Sequence, residues 1–466
     1  MSSIVKILET TGVAPSTESP QSSHEFSLPL TFFDTYWFKF PPVQTLYFYQ
    51  LNESTSTLCY FTSKIIPKLK QSLSLTLLHY LPLAGNLKWP SGSSKPVILY
   101  APNDAVSFTA ALSHVDNFHI LSGNDIHKAN ELHPFVPQLI SSDDKAEILS
   151  LQITLFPRQG FTIGITTNHA VMDGRTAVMF MRSWAHLCKQ VDDVENPSLP
   201  PELTPSFDRS CIEDQARLDM LFLNHWQAFN GEYQDPTKRS LRIFKETEAV
   251  SDDIVRGTFV FTKEDIKKLR EKALSELDAT NGSKQLHLSS FVLTFAYTAT
   301  CVVKSKGGDN ERHVFIDFGV DCRSRLNPPL PTTYCGDCVI CFNKSAKARY
   351  FMEEDGFAFA VKTVSDLVSD IKKGVLEEAE KKMFHFFLPK LPGLQLIVAT
   401  GSPKFNAYGA DFGLGKIMKV EIVSIDKDEA ISMAECRDGD GGIEVSLALE
   451  MHQMRNFASL FYDGLR

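Results

Sequence analysis

The chain has 466 residues, 43% of them hydrophobic and 22% charged, and carries a formal net charge of −9. This is ordinary globular composition, and the length exceeds what one core usually serves, so two domains are expected. The acidic balance, with a pI near 5.8, argues against nucleic acid or an anionic membrane as the main partner, and leaves room for a local basic pocket that takes a phosphorylated cofactor.

From Met1 to Ser27 no basic segment precedes an apolar one, so no signal peptide is expected and the cytoplasm is the expected location. An apolar segment opens at Leu28 to Phe33 and continues toward a strand at Leu46-Tyr47-Phe48-Tyr49. A helical pattern then runs from about Thr55 to Tyr80, with Pro67 marking a kink or a restart, and stops at Leu81-Pro82-Leu83-Ala84-Gly85. Leu149, Leu151, Ile153 and Leu155 alternate with other residues up to the turn Pro157-Arg158-Gln159-Gly160, beyond which Phe161, Ile163 and Ile165 alternate again. These two period-2 runs predict a hairpin. The stretch from Gln190 to about Pro205 is acidic and proline-rich and reads as the start of a crossover. The expected division is an N-terminal domain over 1–189, a linker over 190–225 and a C-terminal domain over 226–466.

In the second half, a strand at Val255 to Phe261 leads into a helix whose start, Thr262-Lys263-Glu264-Asp265, has the form of a cap. Leu286 to Val303 is charge-poor but carries several hydroxyl residues, which predicts a buried helix and no membrane span. Two closing strands alternate, Ile422 to Ile425 with Ile431 to Met433 and then Val445, Leu447 and Leu449, on either side of the turn Asp438-Gly439-Asp440-Gly441-Gly442. That turn lacks the spacing of a calcium loop and reads as a hairpin.

The most informative stretch is Thr166-Thr167-Asn168-His169-Ala170-Val171-Met172-Asp173-Gly174-Arg175. His169 continues the buried parity of its strand. Downstream, Ala177, Met181, Trp184 and Cys188 recur at helical spacing, so Asp173 falls where strand becomes helix. An imidazole at that place suits a catalytic base beside a cleft, and a core histidine followed by a helix cap is the alternative that local pattern leaves open. His313 and Asp317 repeat the spacing inside an apolar run, and that copy reads as a core strand whose polar groups find partners.

Other chemistries find little support. No Gly-x-Ser-x-Gly elbow occurs, and Gly413-Leu414-Gly415-Lys416 meets neither phosphate-loop spacing. The nine cysteines are scattered through a long chain and are expected as thiols. Cys335, Cys338 and Cys341 are spaced like the start of a metal site, yet a second half is missing, so no metal is expected. A base without a nucleophile suits direct transfer, in which it takes a proton from a hydroxyl that attacks an activated acyl group.

His169 to Gly174, together with Asp411-Phe412-Gly413-Leu414-Gly415-Lys416 far downstream, resembles the plant BAHD acyltransferase family, with its HxxxD and DFGWG signatures. Leu28 to Asp34, Tyr80 to Gly85, Asp321 to Leu326 and Tyr334 to Cys338 resemble its flavonoid and phenolic glucoside malonyltransferase branch. The resemblance implies a two-domain α/β fold like chloramphenicol acetyltransferase, with mixed sheets flanked by helices and an active-site channel between the domains. It implies His169 as base and Asp173 as an orienting residue paired with Arg323. Asp411 is a further candidate, more in keeping with a structural part beside Gly413 and Gly415. CoA contacts carried over by position fall on Lys268, Ser289, Ser290, Ser402 and Pro403.

The implied reaction moves a malonyl group from malonyl-CoA, as co-substrate, to a sugar hydroxyl of a phenolic or flavonoid glucoside, with no bound cofactor. A monomer is expected, with acyl-CoA and the glucoside as partners and neither nucleic acid nor membrane. The alternatives are a hydroxycinnamoyl-CoA or acetyl-CoA donor, or a silent small-molecule-binding homologue. A malonyl donor needs a cation for its free carboxylate, and Arg175 and Arg325 are the candidates. Leu414, Cys335 and Asp337 depart from the branch pattern, where Trp, Phe and Asn stand; an anion at Asp337 close to the acyl group would disfavour a dicarboxylic donor.

Overall fold

The computed structural model describes residues 4–16, 20–230, 239–243, 250–278, 286–383, 393–427 and 430–466. Two large sheets carry the architecture. The first has six strands in the order Val5–Val13, Val106–Ser113, Leu149–Phe156, Gly160–Thr167, Val43–Gln50 and Lys416–Ile422. The second has seven, in the order Val339–Lys347, His313–Asp321, Leu394–Thr400, Ile431–Glu435, Ile443–Glu450, Ile254–Phe261 and His127–Lys128. Both are mixed: Val106–Ser113 runs parallel to Leu149–Phe156, and His313–Asp321 parallel to Leu394–Thr400. A four-stranded sheet of Phe26–Pro29, Val97–Tyr100, Asn86–Lys88 and Lys145–Glu147 lies apart from them. Helices flank the sheets, as in Ser290–Lys306, whose central residues are almost all buried. Among the described residues no helix is long and apolar enough to cross a membrane.

The two halves exchange strands. Lys416–Ile422, late in the chain, pairs with Val43–Gln50 in the first sheet, with Glu421 opposite Leu46. His127–Lys128, early in the chain, pairs with Ile254–Phe261 in the second. A buried charge cluster fastens this crossing. Arg256 donates from Nη1 to Asp426 at 2.6 Å and from Nη2 to Glu421 at 2.7 Å, and all three side chains are buried. A desolvated guanidinium is tolerated here because two carboxylates and the Ile422 carbonyl take donors from both terminal nitrogens, although its buried Nε finds no partner among the described residues.

Local sequence explains most element limits. The predicted hairpin forms, with Phe161 opposite Leu155 and Thr167 opposite Leu149. The predicted cap at Thr262 is present: its N–H donates to Asp265 Oδ2 at 2.9 Å, and the Asp265 N–H to Thr262 Oγ1 at 3.1 Å. The helical run across Pro67 breaks into a π-turn at Phe61–Ile65 followed by Ile66–His79; proline has no N–H for the ladder, so the register widens just ahead of it. The acidic turn at Asp438 joins two paired strands, with Glu435 opposite Ile443.

Two expectations are corrected. The apolar segment from Leu28 does not run extended into the next strand, because Thr31 caps a short helix, Phe32–Tyr36, through a reciprocal bond with Asp34. His313 is no core histidine: it stands exposed at the start of its strand, with Nδ1 3.2 Å from Ser345 Oγ, while Asp317 is buried.

Arg256→Ala leaves two buried carboxylates without their cation and should cost about 3–5 kcal/mol in urea unfolding, whereas exposed His313→Ala should stay within about 0.5 kcal/mol. Burial pushes the Glu421 carboxyl up, but Arg256 and Lys419 override it and bring it down to about 2 from 4.5. A depressed carboxyl stabilises above its unfolded value, so this contribution is complete above about pH 4.5 and disappears as pH falls toward 2. An Arg256→Ala unfolding midpoint equal to wild type would show that the cluster contributes nothing.

Candidate active site

Strand Gly160–Thr167 is buried along its whole length between Leu149–Phe156 and Val43–Gln50. It delivers the chain to a tight turn that Asn168 holds: its carbonyl accepts from the N–H groups of Val171 at 3.0 Å and Met172 at 3.1 Å, and its side chain from Ala170 at 3.0 Å. Asp173 then caps helix Gly174–Gln190 by accepting the Thr176 N–H at 2.8 Å. His169 sits at the tip of this turn, anchored on both sides by rigid elements.

The imidazole is 13% exposed. Trp37, which follows helix Phe32–Tyr36, stacks on it at 4.1 Å with an interplanar angle of 14°, and Phe40 meets it edge-on at 5.3 Å. Trp37 Nε1 is tied to the Val339 carbonyl at 3.0 Å. Asp337 Oδ2 lies 2.9 Å from His169 Nδ1 and is fully buried. Burial pushes the Asp337 carboxyl up to about 7, with Asp173 and Asp34 pushing the same way and His169 opposing them.

Asp173 also accepts Arg323 Nη1 at 2.7 Å. Burial alone would raise its carboxyl, but Arg323 and the Thr176 bonds lower it. Arg323 is buried as well, and its remaining donors reach Tyr334 O, Asp321, Thr176 Oγ1 and Gly336 O between 3.0 and 3.2 Å. The Cys338 N–H donates to Asp173 at 3.1 Å. The pair thus clamps the His169 turn to the segment that carries Asp337.

His169 opens on a cavity of about 1370 Å³ whose walls come from both halves of the chain. Arg175, Ser289, Arg325 and Ser402 line it, as do Trp37 and the cations Lys306 and Lys404, which sequence reading missed. Aromatics in apolar runs read as core, and nothing local marks those lysines as facing a channel. Arg175 Nε donates to Asp321 Oδ2 at 2.9 Å, and Arg325 Nη1 to the Asp321 carbonyl at 2.5 Å. Lys268, Ser290 and Pro403 are not on the wall; Lys268 is exposed and donates to the Leu465 carbonyl at 3.0 Å. Asp337 is also off the wall, screened by the His169 ring and with Oδ1 accepting the Val339 N–H at 3.2 Å. The anion at this position therefore does not front the cavity itself.

The family model described as the Transferase family matches residues 3–463. "Phenolic glucoside malonyltransferase 1" of Arabidopsis thaliana is 43% identical, over 100% of this chain and 98% of its own. "Malonyl-CoA:anthocyanidin 5-O-glucoside-6''-O-malonyltransferase" of the same plant is 45% identical, over 99% of each. The chain belongs to the BAHD acyltransferase family. The fold agrees: the crystal structure of vinorine synthase matches with a TM-score of 0.68 at 20% identity, covering 98% of each chain.

The second BAHD signature stands away from the cavity. Asp411 is 53% exposed and pairs with Lys189 at 3.3 Å. Phe412 packs edge-on against Tyr49 and Trp184, and half-buried Leu414 joins the same core where the family pattern has Trp. Gly413 adopts φ +69°, and a Cβ at Gly415 would come within 2.6 Å of the Gln50 carbonyl. These glycines let the chain turn tightly into exchanged strand Lys416–Ile422. The buried cysteines of the 335–341 segment are free thiols. Among the described residues no group of three or more His, Cys, Asp or Glu is placed to hold a metal.

A lysine has no fork to replace the Arg323 contacts. Arg323→Lys should lower stability by about 2–3 kcal/mol and turnover by roughly tenfold, with KM little changed. Thermal unfolding together with steady-state kinetics checks both, and a variant as stable and active as wild type would mean that the clamp is dispensable.

Proposed function

We propose that this BAHD acyltransferase moves a malonyl group from malonyl-CoA to a sugar hydroxyl of a phenolic or flavonoid glucoside. The observation that carries the reading is the placement of His169 on a channel lined from both halves, with one ring nitrogen engaged by Asp337 and the other left for substrate. The similarity to glucoside malonyltransferases along the whole chain supports the donor and acceptor classes.

In the proposed reaction the acceptor hydroxyl attacks the thioester carbonyl while His169 Nε2 takes its proton. The tetrahedral intermediate collapses with cleavage of the C–S bond, and the departing CoA sulfur takes the proton back from the imidazolium. Proton and electron pair are then accounted for with no covalent enzyme intermediate. Asp173 and Arg323 orient the turn without touching substrate, and Asp411, Gly413 and Gly415 are structural. Ser289 and Ser402, with Lys306 and Lys404 on the channel wall, suit CoA and its phosphates. Arg175 or Arg325 grips the malonyl carboxylate. The enzyme works as a cytoplasmic monomer without bound cofactor, its domains spanning 1–189 and 226–466 about the linker 190–225.

His169→Ala should lower turnover by roughly two to four orders of magnitude while leaving the fold intact. A screen of malonyl-CoA, acetyl-CoA and a hydroxycinnamoyl-CoA against quercetin and cyanidin glucosides tests the donor; preference for either of the latter two would overturn the malonyl assignment. Arg175→Ala should reduce malonyl transfer about ten- to hundredfold and acetyl transfer hardly at all, as expected for loss of a charged hydrogen-bond partner. Equal losses with both donors would point to damage at the His169 turn, and no loss with either would leave Arg325 as the carboxylate's partner.

A further inference from the structure

Asp337 has the features of a built contact rather than a chance neighbour. Its side chain is wholly buried, and both oxygens are occupied: Oδ2 lies 2.9 Å from His169 Nδ1, and Oδ1 accepts the Val339 N–H at 3.2 Å. Its own N–H donates to Asp34 Oδ1 at 3.3 Å. The residues on either side are pinned: Gly336 O accepts from Arg323 and Thr176, and the Cys338 N–H donates to Asp173. The imidazole is held as firmly, between the stacked Trp37 ring and the edge of Phe40. Neither partner can turn away without breaking these contacts.

We infer that Asp337 is a positioning residue for the base: its carboxylate holds the Nδ1–H of His169, presents Nε2 to the acceptor hydroxyl, and offsets the positive charge the ring gains as it takes the proton. A carboxylate can only accept, so the ionised form fixes one tautomer, with Nε2 unprotonated and ready. Asp337 does not line the channel, so it acts through the imidazole and keeps no proton at any stage. This inference rests on the proposed role of His169 as base.

The surrounding charges make that anion depend on its histidine. The groups facing Asp337 are Asp34 on helix Phe32–Tyr36, already paired with Arg209, Asp173, already paired with Arg323, the Cys341 thiol and His169 itself. Burial and the two carboxylates push the Asp337 carboxyl up to about 7, and His169 is what favours its charge. Ionisation therefore costs most in the resting enzyme and is best compensated when the ring becomes imidazolium. A carboxylate whose charge is best matched once the ring is protonated stabilises the transition state more than the resting enzyme.

Asp337→Asn keeps the shape and removes the charge. It should lower kcat roughly 10- to 100-fold at pH 8 with KM for donor and glucoside nearly unchanged, as for an interaction made mainly in the transition state. The acid limb of kcat against pH should move to lower pH, because the carboxyl that protonates near pH 7 is gone. Stability should move the opposite way. The folded-state value lies above 3.8, so wild type loses stability as pH rises from about 4 to 7. Asp337→Asn should accordingly unfold at a higher temperature than wild type above pH 7, with the difference shrinking toward pH 4.

All assays use the full chain, a phenolic glucoside and whichever acyl-CoA wild type turns over fastest, with His169→Ala in parallel. If His169→Ala loses turnover while Asp337→Asn keeps wild-type kcat and an unmoved acid limb, the inference about Asp337 fails and the base stands. If His169→Ala keeps wild-type turnover, the base assignment itself fails. A less stable Asp337→Asn whose acid limb has not moved would assign Asp337 a purely structural part. Should Asp337→Asn not fold, Asp337→Ser carries the same expectations for kcat and the acid limb.

Discussion

A guanidinium stripped of water must find acceptors for five N–H groups in a fixed plane, and Arg323 finds them on both halves of the molecule. Two lie on the turn and helix that follow His169, at Asp173 and Thr176, and the others on Asp321, Tyr334 and Gly336 in the second half. His169 and its carboxylate partner Asp337 belong to segments far apart in sequence, and this set of bonds holds both against one rigid plane. The cost of burying Arg323 and Asp173 is offset only while every partner is in place, which makes the arrangement all-or-none. The placement of His169 thus follows from a constraint that does not involve the imidazole itself.

The same logic operates at a larger scale in the exchanged strands. A channel walled by two bodies joined only through a linker would vary in width with their relative motion. Here Lys416–Ile422 is a hydrogen-bonded member of the first sheet, and His127–Lys128 of the second. Arg256, Glu421 and Asp426 are buried where these crossings meet. The glycine-rich signature at 411–415 lies just ahead of the exchanged strand. Its distance from His169 is then no puzzle: it lets the chain enter the first sheet beside Val43–Gln50, and that strand supplies Val43, Thr45 and Tyr47 to the channel wall.

The sequence made the local parts of this site legible and left the long-range parts hidden. Alternation at Phe161, Ile163 and Ile165 sets the parity of the strand before His169, and an aspartate followed by a helical run marks a cap, so the strand, turn and helix could be read directly. The pairing of Asp173 with Arg323 came only through family resemblance, since no local pattern tells an arginine which carboxylate it will meet. Trp37 is invisible because an aromatic in an apolar stretch reads as core, and the hydrophobic run masks the Thr31–Asp34 cap that sets the short helix ahead of it. Asp337 stood out as an unusual anion, yet its partner could not be guessed from spacing. Strand exchange was beyond reach, because alternation shows that a segment is a strand and never which sheet it joins. Lys268 shows the limit of carrying residues over by position: its helix forms as expected, but its ammonium reaches the Leu465 carbonyl rather than the channel.

Two carboxylates now have to be reconciled in one active site, that of Asp337 and that of a malonyl donor. In a medium of low dielectric they would repel strongly if both faced the reacting carbonyl. The structure keeps Asp337 off the channel wall. Asp337 is sealed behind the His169 ring, satisfied by Nδ1 and a backbone N–H, so its charge is expressed along the imidazole. The channel keeps its own cations, with Arg175 and Arg325 both tethered to Asp321 at its wall. In the proposed reaction one anion is matched to a positive charge that appears only during proton transfer, and the other to the guanidinium groups at the channel wall. On the proposed roles, such a division lets a buried acid assist His169 without opposing an acidic donor, provided that the ring between them stays where Trp37 and the Arg323 clamp hold it.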